Sequence, residues 1–274
     1  MKHGLQASEV LRELAPGQAV SGEALAARLG VTRAAVWKQV AALREMGLPI
    51  EARTGAGYRL PWPMQLLDAA RIQAEWGGAG SAPVQLYWEL DSTQDELARH
   101  LSAAPDLTVV LAERQTLGRG RRGRAWCSPP GLGIYLSCLK RFSGSPAALS
   151  GLSIAVGVGL NVRLPLDVRA GLDQPATDLA TLCDGAPPDR NRLAARLIER
   201  LRAGLLRFEH EGLAPFAKDF ARLDRLAGQP LTVYGPHGMQ PGVGCGIDAR
   251  GALRVEMGGR ITAVHSGEVS VRAG

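Results

Sequence analysis

The stretch of the sequence best suited to chemistry is a loop rich in arginine and glycine at positions 117–126. It reads LGRGRRGRAW and places four arginines and three glycines within positions 118–124. Arginine presents forked N–H donors that match the oxygens of a phosphate, and glycine allows backbone N–H groups to approach the same oxygens. Such a loop gathers positive charge where a phosphoryl transition state develops negative charge. These residues therefore predict chemistry on an α-phosphate or a mixed anhydride.

The same glycines also satisfy the G-x-G-x-x-G pattern of dinucleotide-binding folds, through Gly118, Gly120 and Gly123. That fold requires a helix directly after the glycines. Here Pro129 and Pro130 follow instead and disfavour a helix. A Walker A phosphate loop is excluded as well, because the sequence contains no Gly-Lys-Ser or Gly-Lys-Thr. An arginine-rich nucleic-acid tract and plain surface charge stay open as alternatives.

The composition is that of an ordinary globular protein with a basic surface. The 274 residues are 46% hydrophobic and 21% charged, with a formal net charge of +6 that favours an anionic partner. The four cysteines lie far apart and the histidines are scattered, so we predict neither a disulfide framework nor a metal site. The start of the sequence lacks the apolar core of a signal peptide, and no apolar stretch is long enough to span a bilayer. We expect a cytoplasmic protein with no membrane partner.

The first 62 residues carry the signature of a DNA-binding helix pair. Ser21 and Thr32 stand where the N-caps of two consecutive short helices are expected, and Gly30 lies in the tight turn between them. Two short helices joined by such a turn form a helix-turn-helix. The apolar stripe predicted for the second helix consists of Val36, Val40 and Leu43.

The second helix would supply the side chains that meet DNA, because a recognition helix contacts bases and phosphates near its start. We expect Trp37 to lie partly in the core rather than to read bases. Two short strands at 50–60, around a glycine turn, predict a wing that carries Arg53 and Arg59. A small helical bundle without a DNA role is the alternative. The predicted DNA-binding residues are Thr32, Arg33, Ala34, Ala35, Trp37 and Lys38.

Beyond residue 62 the pattern changes to alternating strands and helices. The segment LPWPM at 60–64 predicts a domain boundary. Strands are predicted at PVQLYWEL, LTVVLAERQT and GLGIYLSCLKRF, and a helix of small residues at PAALSGLSIAVGV. A long helical stretch follows at 190–223, and short β segments from 224 onward suggest a small barrel. The leucine stripe predicted for the long helix is Leu193, Leu197, Leu201 and Leu205.

The sequence resembles the bacterial family of bifunctional biotin protein ligases and biotin operon repressors. The resemblance rests on GRGRRGRAW, on DSTQDEL before it, on GLSIAVGV and GLNV after it, and on the winged helix in front. It implies an α/β (α+β) fold with a winged helix-turn-helix at 1–62, a mixed-sheet ligase domain at 63–223 and an SH3-like barrel at 224–274. It also implies that the protein forms biotinyl-5′-AMP from biotin and ATP, with Mg²⁺, and transfers biotin to a lysine of the carrier domain of acetyl-CoA carboxylase. The adenylate-loaded protein would dimerise and bind the biotin operator.

The resemblance further implies roles for individual residues. Ser92, Thr93 and Gln94 would bind the polar ring of biotin, although the family often has Asn where this chain has Gln94. The two arginines that would carry catalysis, Arg119 and Arg121, would close over the carboxylate and the phosphate. The remaining biotin or adenylate residues would be Gln115, Gly118, Gly120, Arg124 and Trp126, and the ATP residues would be Asn161 and Arg272.

One segment of the family pattern is missing from the chain. The family carries a Lys-Trp-Pro-Asn-Asp motif and a following Lys-Leu-x-Gly-Ile-Leu strand, whereas GLSIAVGV here runs directly into GLNV at 158/159. The absent lysine would contact both the biotin carboxylate and the α-phosphate. Either the sequence lacks residues that the natural protein has, or the protein is a truncated relative. The alternative function is therefore a repressor that senses biotin or its adenylate with weak or no ligase activity, and a more remote one is an unrelated winged-helix regulator.

Overall fold

In a computed structural model of the chain, the structure describes residues 2–76, 83–120, 124–142, 152–172, 175–235, 238–264 and 270–273. The chain forms two compact units. One comprises Met1–Ser143 with Gly151–Gly204, and the other comprises Gly144–Ser150 with Leu205–Gly274. The first unit therefore contains both the predicted DNA-binding segment and most of the predicted ligase segment.

The predicted helix-turn-helix and wing are confirmed. The Ser21 hydroxyl accepts a hydrogen bond from the backbone N–H of Ala24 at 3.1 Å. Gly30 ends the first helix in the left-handed region, with φ of 63°. The elements of this segment are α1 (Lys2–Leu14), α2 (Gly22–Leu29), α3 (Arg33–Glu45), β1 (Glu51–Arg53) and β2 (Gly57–Arg59).

The helix predicted to contact DNA, α3, buries the predicted stripe and leaves the adjacent face in solvent. Val36, Val40 and Leu43 are at most 1% exposed. Trp37 is 65% exposed, so the expectation that it lies partly in the core is wrong. The reason is helical geometry, since each residue turns about 100° from the one before and Trp37 faces away from the stripe.

The central sheet of the first unit is mixed, as predicted. Its strands are hydrogen-bonded in the order β3-β4-β5-β6, in which β3 and β4 are parallel and the other neighbours antiparallel. Because β3 and β4 are parallel, their carboxyl ends meet at one edge. The elements of this region are α4 (Ala69–Trp76), β3 (Val84–Leu90), α5 (Thr93–Arg99), β4 (Val109–Gln115), β5 (Gly133–Arg141) and β6 (Ser153–Asn161).

The small-residue helix predicted at PAALSGLSIAVGV is wrong where the structure describes it. Residues 153–161 form β6, which pairs with β5 along its whole length, and residues 143–151 lie outside the described part. The β-branched residues Ile154, Val156 and Val158 alternate along this stretch and favour a strand. The two glycines at 157 and 159 weaken a helix by roughly 1 kcal/mol each. The junction at 158/159 falls inside β6, so the strand passes through it without a break.

The long helix is confirmed, but its buried face differs from the predicted one. The residues that face the core are Asn191, Ala194, Ala195, Ile198 and Arg202, whereas the predicted leucines are half-buried. The polar residues of this face point inward because they donate hydrogen bonds to buried backbone oxygens. Asn191 donates to Leu66 in the linker, and Arg202 donates to Leu107 before β4. The helices are α6 (Leu166–Ala170), α7 (Leu179–Leu182) and α8 (Arg190–Glu211).

The second unit contains an antiparallel sheet of five strands in the order β10-β9-β8-β7-β11. Leu231, Val233 and Val255 form its small core. The β segments predicted from residue 224 onward are therefore confirmed, while closure into an SH3-like barrel stays a prediction. The elements are a 3-10 helix (Ala214–Phe216), α9 (Ala217–Leu223), β7 (Pro230–Gly235), β8 (Gly238–Ile247), β9 (Leu253–Met257), β10 (Arg260–Val264) and β11 (Ser270–Ala273).

Candidate active site and DNA-binding surface

The polar residues of DSTQDEL lie at the turn from β3 into α5. Ser92 caps α5, and its hydroxyl accepts a hydrogen bond from the backbone N–H of Gln94 at 3.2 Å. Ser92 is 2% and Thr93 3% exposed. Buried hydroxyl groups need partners, so this turn is fixed by the hydrogen bonds that Thr93 makes.

Gln115, at the end of β4, provides those partners. Its Oε1 accepts from the backbone N–H of Thr93 at 2.9 Å and from the Thr93 hydroxyl at 3.2 Å. Its Nε2 donates to the Ser128 hydroxyl at 3.3 Å. The parallel pairing of β3 with β4 brings these residues together although they are far apart in sequence. Two predicted biotin residues, Thr93 and Gln115, are thus in direct contact.

Two further residues of this network were missed by the sequence analysis. The hydroxyls of Thr93 and Ser137 lie 2.8 Å apart, and Ser137 is completely buried on β5. Ser128 follows the arginine-rich loop and joins Gln115 to the backbone oxygen of Trp126 at 3.3 Å. A serine within the apolar run YLSCL was a readable signal for Ser137. Nothing local marked Ser128.

The arginine-rich loop leaves β4 directly beside this network. The backbone N–H of Trp126 donates to the Gly118 oxygen at 2.8 Å, and the N–H of Gly120 donates to the Arg124 oxygen at 2.8 Å. A Cβ at Gly118 would lie 3.0 Å from both Gln115 Nε2 and Ser128 Oγ, which is too close for comfortable packing. Gly118 therefore allows the loop backbone to pass over Gln115. Residues 121–123, which include the predicted Arg121, lie outside the described residues.

Arg119 is the predicted catalytic residue that the structure describes. Its guanidinium pairs with the carboxylate of Asp95 in the first turn of α5, and the two side chains are 49% and 32% exposed. An ion pair this exposed contributes little to stability. Arg119 can therefore exchange Asp95 for another anion at small cost. Arg124 is exposed as well.

The side chains of Gln94 and Trp126 contact β6. Gln94 Nε2 donates to the Ala155 backbone oxygen at 3.2 Å. A Cβ at Gly159 would lie 2.7 Å from the Trp126 ring, so only glycine at this position leaves room for the indole. The indole N–H of Trp126 is buried without a hydrogen-bond partner among the described residues. The glycines at 157 and 159 of β6 therefore leave room for the side chains of Gln94 and Trp126.

The two predicted ATP residues lie in different units. Asn161 ends β6 in the first unit, and its Nδ2 donates to the Thr177 backbone oxygen at 3.2 Å. Arg272 lies on β11 in the second unit, where its backbone is in register with Thr232. Its side chain is outside the described part of the structure. The predicted pairing of these residues around ATP stays a prediction.

Charged residues brace the turn that carries Ser92 and Thr93. The Arg99 guanidinium donates to both oxygens of Asp91 at 2.8 Å and to Glu96 at 2.7 Å. Hydrogen bonding from Arg99 holds the pKa of the Asp91 carboxyl well below its usual range, helped by the N–H of Ser92. The pKa of Glu96 is lowered by the same guanidinium. Both carboxylates are therefore ionised at neutral pH and fix the start of α5.

The predicted DNA-binding residues form one face of α3. Thr32 caps the helix, and its hydroxyl accepts from the N–H of Ala35 at 3.2 Å. On the wing, Arg53 and Arg59 both pair with Glu51, at 3.5 Å and 2.8 Å, and the Arg53 side chain is 58% exposed. The exposed residues of α3 and its cap are Thr32, Arg33, Ala34, Trp37 and Lys38, with Ala35 half-buried beside them.

Two other features are absent from the described residues. No group of three or more His, Cys, Asp or Glu side chains there could hold a metal ion. None of the helices described is long and apolar enough to cross a membrane.

Comparison with known proteins identifies two domains and the family of the chain. An HTH domain profile matches residues 7–59, and the profile of the Biotin/lipoate A/B protein ligase family matches residues 88–167. The chain is 35% identical to the bifunctional ligase/repressor BirA of Salmonella typhimurium, over 95% of each chain. It is 33% identical to the protein of the same name from Escherichia coli, over 100% of this chain and 99% of the other.

Solved structures show the same fold. The biotin protein ligase of Aquifex aeolicus in complex with biotin and ATP superposes with a TM-score of 0.58 at 23% identity, covering 70% of this chain and 99% of that one. The resemblance expected from the sequence is confirmed, as are the mixed α/β architecture and the N-terminal helix-turn-helix. The chain belongs to the family of bifunctional biotin protein ligases and repressors.

Proposed function

We propose that this chain joins biotin to AMP and transfers the biotinyl group to a lysine of a biotin carboxyl carrier domain. In the first step a carboxylate oxygen of biotin attacks the α-phosphorus of ATP, the bond to the β-phosphate oxygen breaks, and pyrophosphate leaves. In the second step the lysine amine attacks the acyl carbon, AMP leaves, and the amine loses a proton. The observation that carries the proposal is the contact of Thr93 with Gln115 directly below the arginine-rich loop.

The neutral hydrogen-bonding groups suit the ring of biotin. Ser92, Thr93 and Gln115 present hydroxyl and amide groups, which both donate and accept, as a ureido ring requires. Gln94 would complete this set from the next position along α5. Because Ser92 and Thr93 are buried and hydrogen bonds already orient the amide of Gln115, little further ordering is needed when the ligand binds.

The loop suits the reacting groups. A carboxylate and a triphosphate repel one another, and a guanidinium between them lowers that repulsion. Arg119 would exchange Asp95 for these oxygens, and Arg121 and Arg124 would add charge from the same loop. The backbone at Gly118 and Gly120 would let the loop close, and Trp126 would exclude water from the labile anhydride.

The nucleotide would bring its own magnesium. Mg²⁺ is usually held by substrate phosphates and waters with one or two carboxylates. The described residues offer no group of three or more such ligands, and Asp95, an acid that contacts the loop, is paired with Arg119. We therefore assign no protein cage for Mg²⁺. Asn161 and Arg272 would serve the nucleotide side of the site.

A second candidate function is a sensor that retains biotin or biotinyl-AMP with little transfer. The alignment with the Escherichia coli relative spans 321 positions, and this chain has 274 residues, so 47 positions have no residue here. The four lysines of the chain are Lys2, Lys38, Lys140 and Lys218. Lys140 donates to Asp106 at 2.8 Å, while Lys38 and Lys218 lie on α3 and α9. Neither Lys38 nor Lys140 takes the place of the lysine expected between the biotin carboxylate and the α-phosphate.

Labelled biotin separates the two candidates. The chain is incubated with labelled biotin, ATP and a purified biotin carboxyl carrier domain, with Arg119→Ala as the matched variant. Label on the carrier, formed by the wild type and reduced by about 10²–10³ in rate in the variant, is the expected result. Label retained on the protein as the acyl-adenylate without transfer supports the sensor. Failure to bind biotin at all contradicts both.

The helix-turn-helix would make the chain a repressor of the biotin operon. The support is the exposed basic face of α3 with Arg33 and Lys38, next to Trp37. We further propose that the adenylate-loaded chain dimerises on the operator, and that both activities belong to the cytoplasm, where ATP and the carrier are found. Trp37→Ala should weaken DNA binding several-fold without moving the thermal unfolding midpoint, and Leu182→Ala, an equally exposed residue on α7, should change neither. Equal DNA affinity in all three proteins would contradict a DNA-binding role for this face.

A further inference from the structure

Strand β6 is the last strand of the four-stranded sheet, and one of its sides pairs with no strand among the described residues. In this sheet Ala155 of β6 is in register with Leu139 of β5. The N–H of Leu139 donates to the Thr108 oxygen and its carbonyl accepts from the N–H of Leu107, both at 2.9 Å, so both groups point away from β6. Opposite such a residue, an antiparallel partner makes no ladder hydrogen bond. The backbone groups of Ala155 therefore point to the open edge of the sheet.

The side chain of Gln94 supplies the hydrogen bond that the ladder does not give to Ala155. Its Nε2 donates to the Ala155 oxygen at 3.2 Å. Gln94 can reach the strand because its helix, α5, is fixed on the sheet by Leu97, which is 1% exposed and packs with Val110 and Leu139. Ladder bonds hold an edge strand on one side only, so this contact gives β6 a second attachment.

This hydrogen bond depends on glycine at position 157, two residues further along β6. A Cβ there would lie 3.1 Å from both Cδ and Nε2 of Gln94, which is closer than side chains normally pack. The backbone of Gly157 lies outside the left-handed region, so an alanine would fit the strand itself. Glycine is therefore needed for the amide that passes over it and not for the conformation of the backbone.

The same face of β6 carries two positions on which the adenylate side of the site depends. Side chains alternate along a strand, so positions 157, 159 and 161 share one face. A Cβ at Gly159 would lie 2.7 Å from the Trp126 ring. Asn161, the predicted nucleotide residue, donates to the Thr177 oxygen at 3.2 Å. A displacement of β6 at Gly157 would therefore move both the seat of Trp126 and Asn161.

We propose that Gln94 is a positioning residue that holds the open edge of β6, so that Gly159 and Asn161 stay in place for the adenylate. The inference rests on the proposed function and deepens it, because Gln94 then acts through the strand in addition to its expected place beside the biotin ring. The length of the side chain is essential. Asparagine carries the same amide on a side chain shorter by one carbon–carbon bond and would not span the distance to Ala155.

The test measures two ligand properties of the full chain. Labelled biotin gives the dissociation constant, and labelled biotinyl-5′-AMP, supplied directly and chased with unlabelled ligand, gives the half-life of retention without any need for catalysis. Gly157→Ala places a methyl group against the Gln94 amide. Gly204→Ala is the matched control, because a Cβ at Gly204 on α8 has no neighbour within 4 Å. Gln94→Asn, Gln94→Ala and the double variant of Gln94→Ala with Gly157→Ala complete the set, and thermal unfolding is recorded for each protein.

The expected result is a loss of retention that requires both residues. Gly157→Ala should shorten the half-life of the adenylate about fivefold, as the loss of one hydrogen bond would, with the dissociation constant of biotin within about twofold of wild type. Gln94→Asn should shorten the half-life by a similar factor, whereas Gly204→Ala should not change it. In the Gln94→Ala background, Gly157→Ala should have no further effect, because the added methyl group then meets no amide. A variant that only lowered the folded fraction would bind fewer ligands with an unchanged half-life.

Three outcomes overturn the inference. They are a half-life in Gly157→Ala equal to that in Gly204→Ala, a loss from Gly157→Ala that persists in the Gln94→Ala background, and a half-life in Gln94→Asn equal to that of the wild type. The last of these decides the matter if Gly157→Ala does not fold. A wild type that binds neither biotin nor biotinyl-5′-AMP overturns the proposed function instead.

Discussion

Two residues of β4 that face the same side of the strand have opposite surroundings. Glu113 is buried, and its carboxylate accepts hydrogen bonds from the N–H groups of Leu67 and Gly131 and from the guanidinium of Arg190, the last at 2.9 Å. Gln115, two residues further, is half-buried and bonds only to neutral groups. One strand therefore carries a buried charge at its middle and a neutral amide at its end.

The difference separates a fixed frame around Glu113 from the surface at Gln115 that we propose meets the ligand. A buried carboxylate is tolerated only when cations and N–H groups surround it, and those partners then cannot move without a large loss. Glu113 thereby locks the linker before α4, the segment after the loop, and the start of α8. Gln115 makes weaker bonds that a ligand can replace. A preorganised binding site needs a rigid frame, such as the one around Glu113, next to a group such as the Gln115 amide that can exchange its partners for a ligand.

The largest expected effect is at Glu113. Glu113→Ala leaves the Arg190 guanidinium buried without its carboxylate, which should lower the free energy of unfolding by about 3–5 kcal/mol. Chemical denaturation followed by circular dichroism measures it. Glu89→Ala is the matched control, because Glu89 pairs with Arg114 at the surface and should contribute at most about 1 kcal/mol. Equal losses in the free energy of unfolding in the two variants would contradict the distinction between the buried pair at Glu113 and the surface pair at Glu89.

The second effect is on ligand binding rather than on folding. Gln115→Ala removes the acceptor of Thr93 and the donor to Ser128, so biotin affinity should fall about tenfold or more, equivalent to about 1.4 kcal/mol. Isothermal titration with biotin gives the affinity, and the unfolding midpoint should move far less than in Glu113→Ala. If the variant loses as much stability as Glu113→Ala, Gln115 belongs to the frame and the comparison fails.

The smallest expected effect is a pH dependence of the unfolding midpoint, which arises at the turn beside Gln115. Arg99 lowers the pKa values of Asp91 and Glu96, so their folded pKa values lie below the unfolded ones. A depressed carboxyl pKa contributes stability that is present above the unfolded value and is lost as the pH falls through the folded value. Wild type should therefore exceed Arg99→Ala in unfolding midpoint near neutral pH, and the gap should narrow below about pH 4. A gap that stays constant through the acid range would show that Arg99 acts by packing alone.

Local signals in the sequence predicted the DNA-binding part almost completely. The helix caps at Ser21, Gly30 and Thr32 depend on contacts within one helical turn. The local sequence is therefore enough to predict where these helices begin and end. The position of Trp37 was mistaken because an aromatic residue was weighed above its place on the helix. The strand at 153–161 was mistaken because small residues are compatible with either state, and pairing with β5 decided between them.

Only part of the proposed ligand site could be predicted from the sequence. Thr93, Gln115 and the arginine-rich loop were found through their types and family resemblance, and the sequence alone determined that an anionic, activated substrate is the chemistry to expect. The tertiary structure decided that Ser137 and Ser128 complete the network, that Glu113 and Arg190 hold its frame, and that Gln94 reaches Ala155 across Gly157. These contacts join residues from different strands and helices. Their energies depend on distances that only the packed sheet and its parallel pair of strands impose, so a local pattern such as the serine within YLSCL can suggest a participant but cannot give its partner.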